Sequence, residues 1–164
     1  MKFIDQLKEK AKQNKKTIVL PETSDMRTIE AAGKVLAEGI ANIILVGDKE
    51  DIMSRAGDID LSGASFVDPK NYEKFDEYVD AFVEMRRKKG MTEARAKELL
   101  LTNPLYFGCM MVKQDDADGM VAGAINASAD VLRAALQTLK TAPGTRIVSA
   151  FFLVVVPDCQ YGAN

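Results

Sequence analysis

Residues 17–47 read TIVLPETSDMRTIEAAGKVLAEGIANIILVG. Thr17 to Leu20 is a short β-branched run closed by Pro21, which predicts a buried strand with a loop after it. Asp25 is placed to cap a helix whose inner face carries Ile29, Ala32, Val35 and Leu36 at helical spacing. Gly39 ends that helix, and Asn42 to Gly47 is a second buried strand. Strand, helix and strand in this order belong to an α/β fold with a largely parallel sheet.

The pattern extends in both directions. Phe3, Ile4, Leu7 and Ala11 fall at helical spacing among lysines and acids, so the chain opens with an amphipathic helix. Downstream, a helix is expected from Asp48 to Ala56, a short strand at Ser65 to Val67, and a long helix from Tyr72 to Lys88 ended by Gly90. Thr92 caps a helix to Leu101, and Pro104 opens another through Val112. Asp118 to Gly123 reads as a strand running into a glycine turn, and Ser128 or Asp130 starts a helix to Lys140. The whole predicts a three-layer α/β domain on a parallel sheet, residues 1–143, closed by the Pro143-Gly144 break. Arg146 to Val156 is apolar on both faces, as a central parallel strand is. It is expected to be the first strand of a second α/β domain, residues 144–164, within which the chain stops, leaving the first domain incomplete as well.

Composition excludes more than it selects. The 164 residues are 47% hydrophobic and 28% charged, values ordinary for a globular protein. A net charge of −2 argues against a nucleic-acid partner. The opening segment has no apolar stretch of the secretory kind. Ile147 to Val156 is about half the roughly 20 residues of a membrane span, so no membrane partner is expected. Cys109 and Cys159 stand far apart without CxxC pairing, which fits a reduced, cytoplasmic setting. There is no histidine, so Ser-His-Asp and Cys-His arrangements, HExxH zinc sites and imidazole bases are all absent from the sequence. No metal ligands are assigned.

Gly123 to Arg133 has the parts of an anion site. A glycine turn allows close backbone approach, a helix start presents free amides, Ser128 offers a hydroxyl and Arg133 a two-pronged cation. An ordinary strand, turn and helix with a surface arginine has the same residues. Glu22, Asp25 and Arg27 follow a strand's carboxyl end, where α/β proteins place ligands, and a helix cap with surface charges accounts for them nearly as well.

Several stretches together resemble the phosphate acetyltransferase family, which includes phosphate butyryltransferases. They are Thr17 to Thr23 with Asp25 and Arg27, Gly39 to Gly47, Phe82 to Gly90, Asp118-Gly119 to Gly123, Ser128 to Gln137, and Ser149 to Cys159. Their order and spacing carry the resemblance from end to end. It implies a two-domain α/β enzyme, a homodimer at full length, with its active site between the domains. The reaction implied exchanges an acetyl group between acetyl-CoA and inorganic phosphate, giving acetyl phosphate and CoA. Coenzyme A is a substrate there, and no cofactor is expected. Arg133 and Arg86 are implied as catalytic residues, and Ser128, Gly123 and Cys159 as substrate-binding. Arg86 also lies in the run Arg86 to Lys89, which a helix C-terminus favours by its dipole alone. No activating group stands beside Cys159 in sequence, so direct attack by phosphate in a ternary complex is expected over an acyl-cysteine. The family's Ser-Arg pair and thiol-deprotonating aspartate have no counterpart here, so the 164 residues alone are expected to be inactive. Asn126-Ala127 stands where the family commonly has His-Ser, and Ala134 where proline is usual. A butyryl-CoA enzyme and a non-catalytic CoA- or phosphate-binding module are the alternatives.

Overall fold

The computed structural model describes residues 3–156 and Gln160. Four strands, β1 (Thr17–Leu20), β2 (Asn42–Val46), β3 (Ser65–Val67) and β4 (Gly119–Met120), form one sheet in the order β3-β2-β1-β4. All pairs are parallel, with Leu20 opposite Leu45, Val46 opposite Val67, and Ile18 opposite Gly119. Seven α-helices are described: α1 (Phe3–Gln13), α2 (Met26–Glu38), α3 (Lys49–Ala56), α4 (Phe75–Arg86), α5 (Glu93–Thr102), α6 (Pro104–Lys113) and α7 (Ser128–Thr138).

Alternation along the strands divides the core in two. Leu20, Ile43 and Leu45 point into one layer with Ile29 and Ala32 of α2 and Ile52 and Ala56 of α3. Val19, Ile44 and Val46 point into the other, with Val79 and Phe82 of α4, Leu100 of α5 and Phe107 of α6. The sheet thus lies between helical layers, and its strands are apolar on both faces because both are covered. Helix α6 is buried from Leu105 through Met111 and is apolar all round, as an interior helix is. Gly108 lets it sit close to the sheet, since a Cβ there would lie 3.3 Å from Val19 Cγ1 and 2.7 Å from Met120 Sδ.

The local signals act where the sequence places them. Asp25 accepts from the Arg27 amide at 2.8 Å and starts α2, and Gly39 ends it at φ 67°. Thr92 caps α5, and Pro104 stands in the first turn of α6 with Asn103 as its cap. Three expectations shift. The long helix begins only at Phe75, and a 3₁₀ turn at Arg87–Lys89 follows it. The strand expected over Asp118 to Gly123 pairs only at Gly119–Met120; the Val121 amide still donates to the Val19 carbonyl at 3.0 Å before the chain peels away. Arg146 to Val156 forms no strand, and Phe152 is 97% exposed. A central strand takes its hydrogen bonds from neighbours on both sides, and no described strand lies beside this segment. Helix α1 forms as its pattern predicts, yet none of its residues is buried.

Phe107 packs between Tyr72 and Tyr78, with ring centroids 5.7 and 5.6 Å away, and is fully buried. Phe107→Ala is expected to cost about 3–5 kcal/mol in denaturant-induced unfolding. A loss below about 1 kcal/mol would mean that this layer does not depend on the aromatic cluster.

Candidate functional site

The strands β1, β2 and β3 run outward in chain order on one side, and β4 returns on the other, so the reversal lies between β1 and β4. Ligands of open parallel sheets gather beyond the strands' carboxyl ends at such a reversal. The chain's own Glu22 stands there, 2% exposed. Its Oε2 accepts from the amides of Gly123 and Ala124, both at 2.6 Å. Its Oε1 accepts from the amides of Ile125 at 3.2 Å and Asn126 at 2.9 Å, and from Asn126 Nδ2 at 2.7 Å. Burial opposes ionisation, but the Asn126 side chain and the backbone donors outweigh it and hold the carboxyl below its ordinary value of 4.5. Gly123 takes φ 107°, a conformation open to glycine, and so lets successive amides converge on one anion. Arg27 holds the same loop from outside: Nη2 donates to the Ala124 carbonyl at 2.6 Å and to Asp25 at 2.7 Å.

A second feature is a cleft of about 440 Å³ between the end of α4 and helices α5, α6 and α7. Arg86, Lys89, Arg95 and Arg133 line it, with Glu98 as its acid. Arg133 is tethered to Asp130 one turn back, and its side chain is still 57% exposed. The Nε of Arg86 is buried and has no hydrogen-bond partner among the described residues. An unmet N–H of this kind costs about 1–3 kcal/mol. Tyr106 stands in the cleft and donates to Gln137 at 3.1 Å. Burial raises its phenol pKa, against the pull of the Arg133 and Arg86 charges.

The structure therefore brings Arg86 and Arg133 together. Gly123 does not line that cleft, and its amide is committed to Glu22. Ser128 begins α7 without capping it, is exposed, and also lies outside the cleft lining. The amides of Ser128 and Ala129 meet no acceptor among the described residues. Cys159 falls outside the described residues. Ala134 is buried inside an unbroken α7, where a proline would remove a helical bond. Sequence reasoning missed Lys89, Arg95 and Tyr106, and missed the union of Glu22 with the Gly123 turn. The only sequence signal for that union was an acid placed just past a strand's end. No described group of His, Cys, Asp and Glu is suited to hold a metal ion, and no described helix is long and apolar enough to cross a membrane.

Residues 2–163 match the family described as phosphate acetyl/butaryl transferase. The chain is 52% identical over its full length to the phosphate acetyltransferase of Acetivibrio thermocellus, of which it covers 49%. It is 39% identical over 162 residues to the phosphate acetyltransferase of Escherichia coli, covering 97% of this chain and 22% of that one. Among solved structures, a phosphotransacetylase from Streptococcus pyogenes superposes with a TM-score of 0.80 at 36% identity, over 90% of this chain and 46% of that one. The chain thus spans about half the length of the relatives it matches most fully.

Because the folded carboxyl of Glu22 is depressed, its stabilising contribution is complete above 4.5 and is lost as pH falls through its lower folded value. The unfolding free energy of the natural protein is therefore expected to fall more steeply below pH 4.5 than that of Glu22→Gln. Parallel curves from chemical denaturation at several pH values would show that this carboxylate is not held as an anion.

Proposed function

The chain belongs to the phosphate acetyl/butaryl transferase family, and we propose on that premise that it serves acetyl transfer between coenzyme A and inorganic phosphate. Acetyl-CoA and phosphate exchange to acetyl phosphate and free CoA. The observation that carries this reading is the pair Arg86 and Arg133 lining one cleft. Planar, two-pronged cations fit phosphate oxygens, and they act most strongly where water is partly excluded.

In the proposed step, a phosphate oxygen attacks the thioester carbonyl carbon. A C–O bond forms, the C–S bond breaks, and the thiolate leaves to take up a proton. Arg86 and Arg133 hold the nucleophile, and their charge offsets that developing on the carbonyl oxygen. Phosphate is already anionic, so the attack needs no imidazole base, in keeping with a sequence that has none. Cys109 is buried with its pKa raised by burial, which supports phosphate rather than this thiol as the attacking group. Lys89 and Arg95 supply further charge for CoA's own phosphates. Ser128 and the free amides at the start of α7 offer a second contact for an anion.

The same reading takes residues 1–143 as one domain and 144–164 as the start of another, with a homodimer working in the cytoplasm. The test is phosphate-dependent release of CoA from acetyl-CoA by the intact protein and by Arg133→Ala. The variant's KM for phosphate is expected to rise on the order of tenfold or more. Arg133→Lys should recover only part, because a point charge lacks the fork. Unchanged KM and kcat would remove Arg133 from the site.

A further inference from the structure

We infer that Glu22 is a positioning residue: its carboxylate is an internal anion that sets the Gly123–Asn126 turn and thereby the aim of Arg133 into the cleft. The inference rests on the functional reading above for what Arg133 does there, and on geometry for how Glu22 reaches it. Four consecutive amides and one side-chain amide converge on the two carboxylate oxygens. Such a concave run of N–H groups is the arrangement proteins use to bind a phosphate or carboxylate ligand. Here the ligand is covalently part of the chain, and burial keeps solvent from replacing it.

The turn leads directly into α7. Asn126 is the last residue that Glu22 holds, and the helix begins at Ser128. No described side chain caps α7, and the clamp lies just before its first residue. Farther along, Ala134 and Thr138 are fully buried against the core. Arg133 lies between these two constraints, one residue before Ala134, on the face that remains exposed. Arg27 reinforces the clamp through the Ala124 carbonyl. Packing of α7 against α6 could by itself fix the helix, and that is the rival account to be separated.

In Glu22→Gln one carboxylate oxygen becomes an NH2 group, which faces amide donors in place of an acceptor. Asn126→Ala is the milder companion and removes a single donor. The experiment compares amide hydrogen exchange, residue by residue, and steady-state kinetics in the intact protein. Exchange in Glu22→Gln is expected to quicken at least tenfold at Gly123–Asn126 and at Asp130 and Val131 in the first turn of α7, while α6 stays protected. The KM for phosphate should rise on the order of tenfold with kcat at saturating phosphate held within about threefold. Asn126→Ala should move both readouts the same way by less. Simple loss of stability would act differently, lowering kcat with the folded fraction and leaving KM alone. Unchanged exchange at the turn, exchange that quickens equally through α6, or an unchanged KM would each overturn the role. If the natural protein shows no acyl transfer, the functional reading fails instead, and the exchange pattern alone decides whether Glu22 positions α7.

Discussion

The architecture turns on β1, a strand of four residues with parallel partners on both edges and helices over both faces. Val19 belongs to one core layer and Leu20 to the other, so a shift of one residue in register would exchange their surroundings. The chain leaves β1 through Pro21 and delivers Glu22 into the interior, where a carboxylate persists only with donors to meet it. β4 supplies them. Its two paired residues contribute little to the sheet as such, but they bring the Gly123–Asn126 amides beside the end of β1. Strand pairing and the polar clamp are thus one arrangement.

The cleft follows from the other layer. Basic side chains at a helix end are favoured by its dipole, and the run Arg86 to Lys89 needs no further reason to exist. The 3₁₀ turn at Arg87–Lys89 gives it one. Arg86, at the end of α4, and Lys89, at the end of the turn, both line the cleft, while Arg87 pairs with Glu84 at 2.7 Å. Arg95 approaches from α5 and Arg133 from α7, and with Glu98 as its acid the cleft carries an excess of positive charge.

The fold was legible wherever local physical chemistry is strong. The β-branched runs at Thr17 to Leu20 and Asn42 to Val46, the Asp25 cap and the Gly39 stop all act on their neighbours and can be read without knowing the rest. Arg146 to Val156 marks the limit, because a strand is a property of a pair, and apolar composition cannot say whether a partner lies alongside. The site was half legible. Arg86 and Arg133 stand out by residue type and by resemblance. Their meeting in one cleft depends on the packing of α4, α5 and α7. The Gly123 turn has the local marks of an anion nest, but its anion lies 101 residues earlier in the chain, beyond any local pattern.

That long span bears on how the protein is made. β1, α2 and β2 can dock on one another as soon as they are synthesised, since their contacts are local in sequence. The other edge of β1 waits for Gly119, and Glu22 waits for residues 123–126. At about 5–20 residues per second, a ribosome takes on the order of 5–20 s to supply them. Through that interval the nascent chain carries an open strand edge and an acid without its donors. A carboxylate without its donors stays hydrated, so the interior around Glu22 closes only once the 123–126 turn has been made.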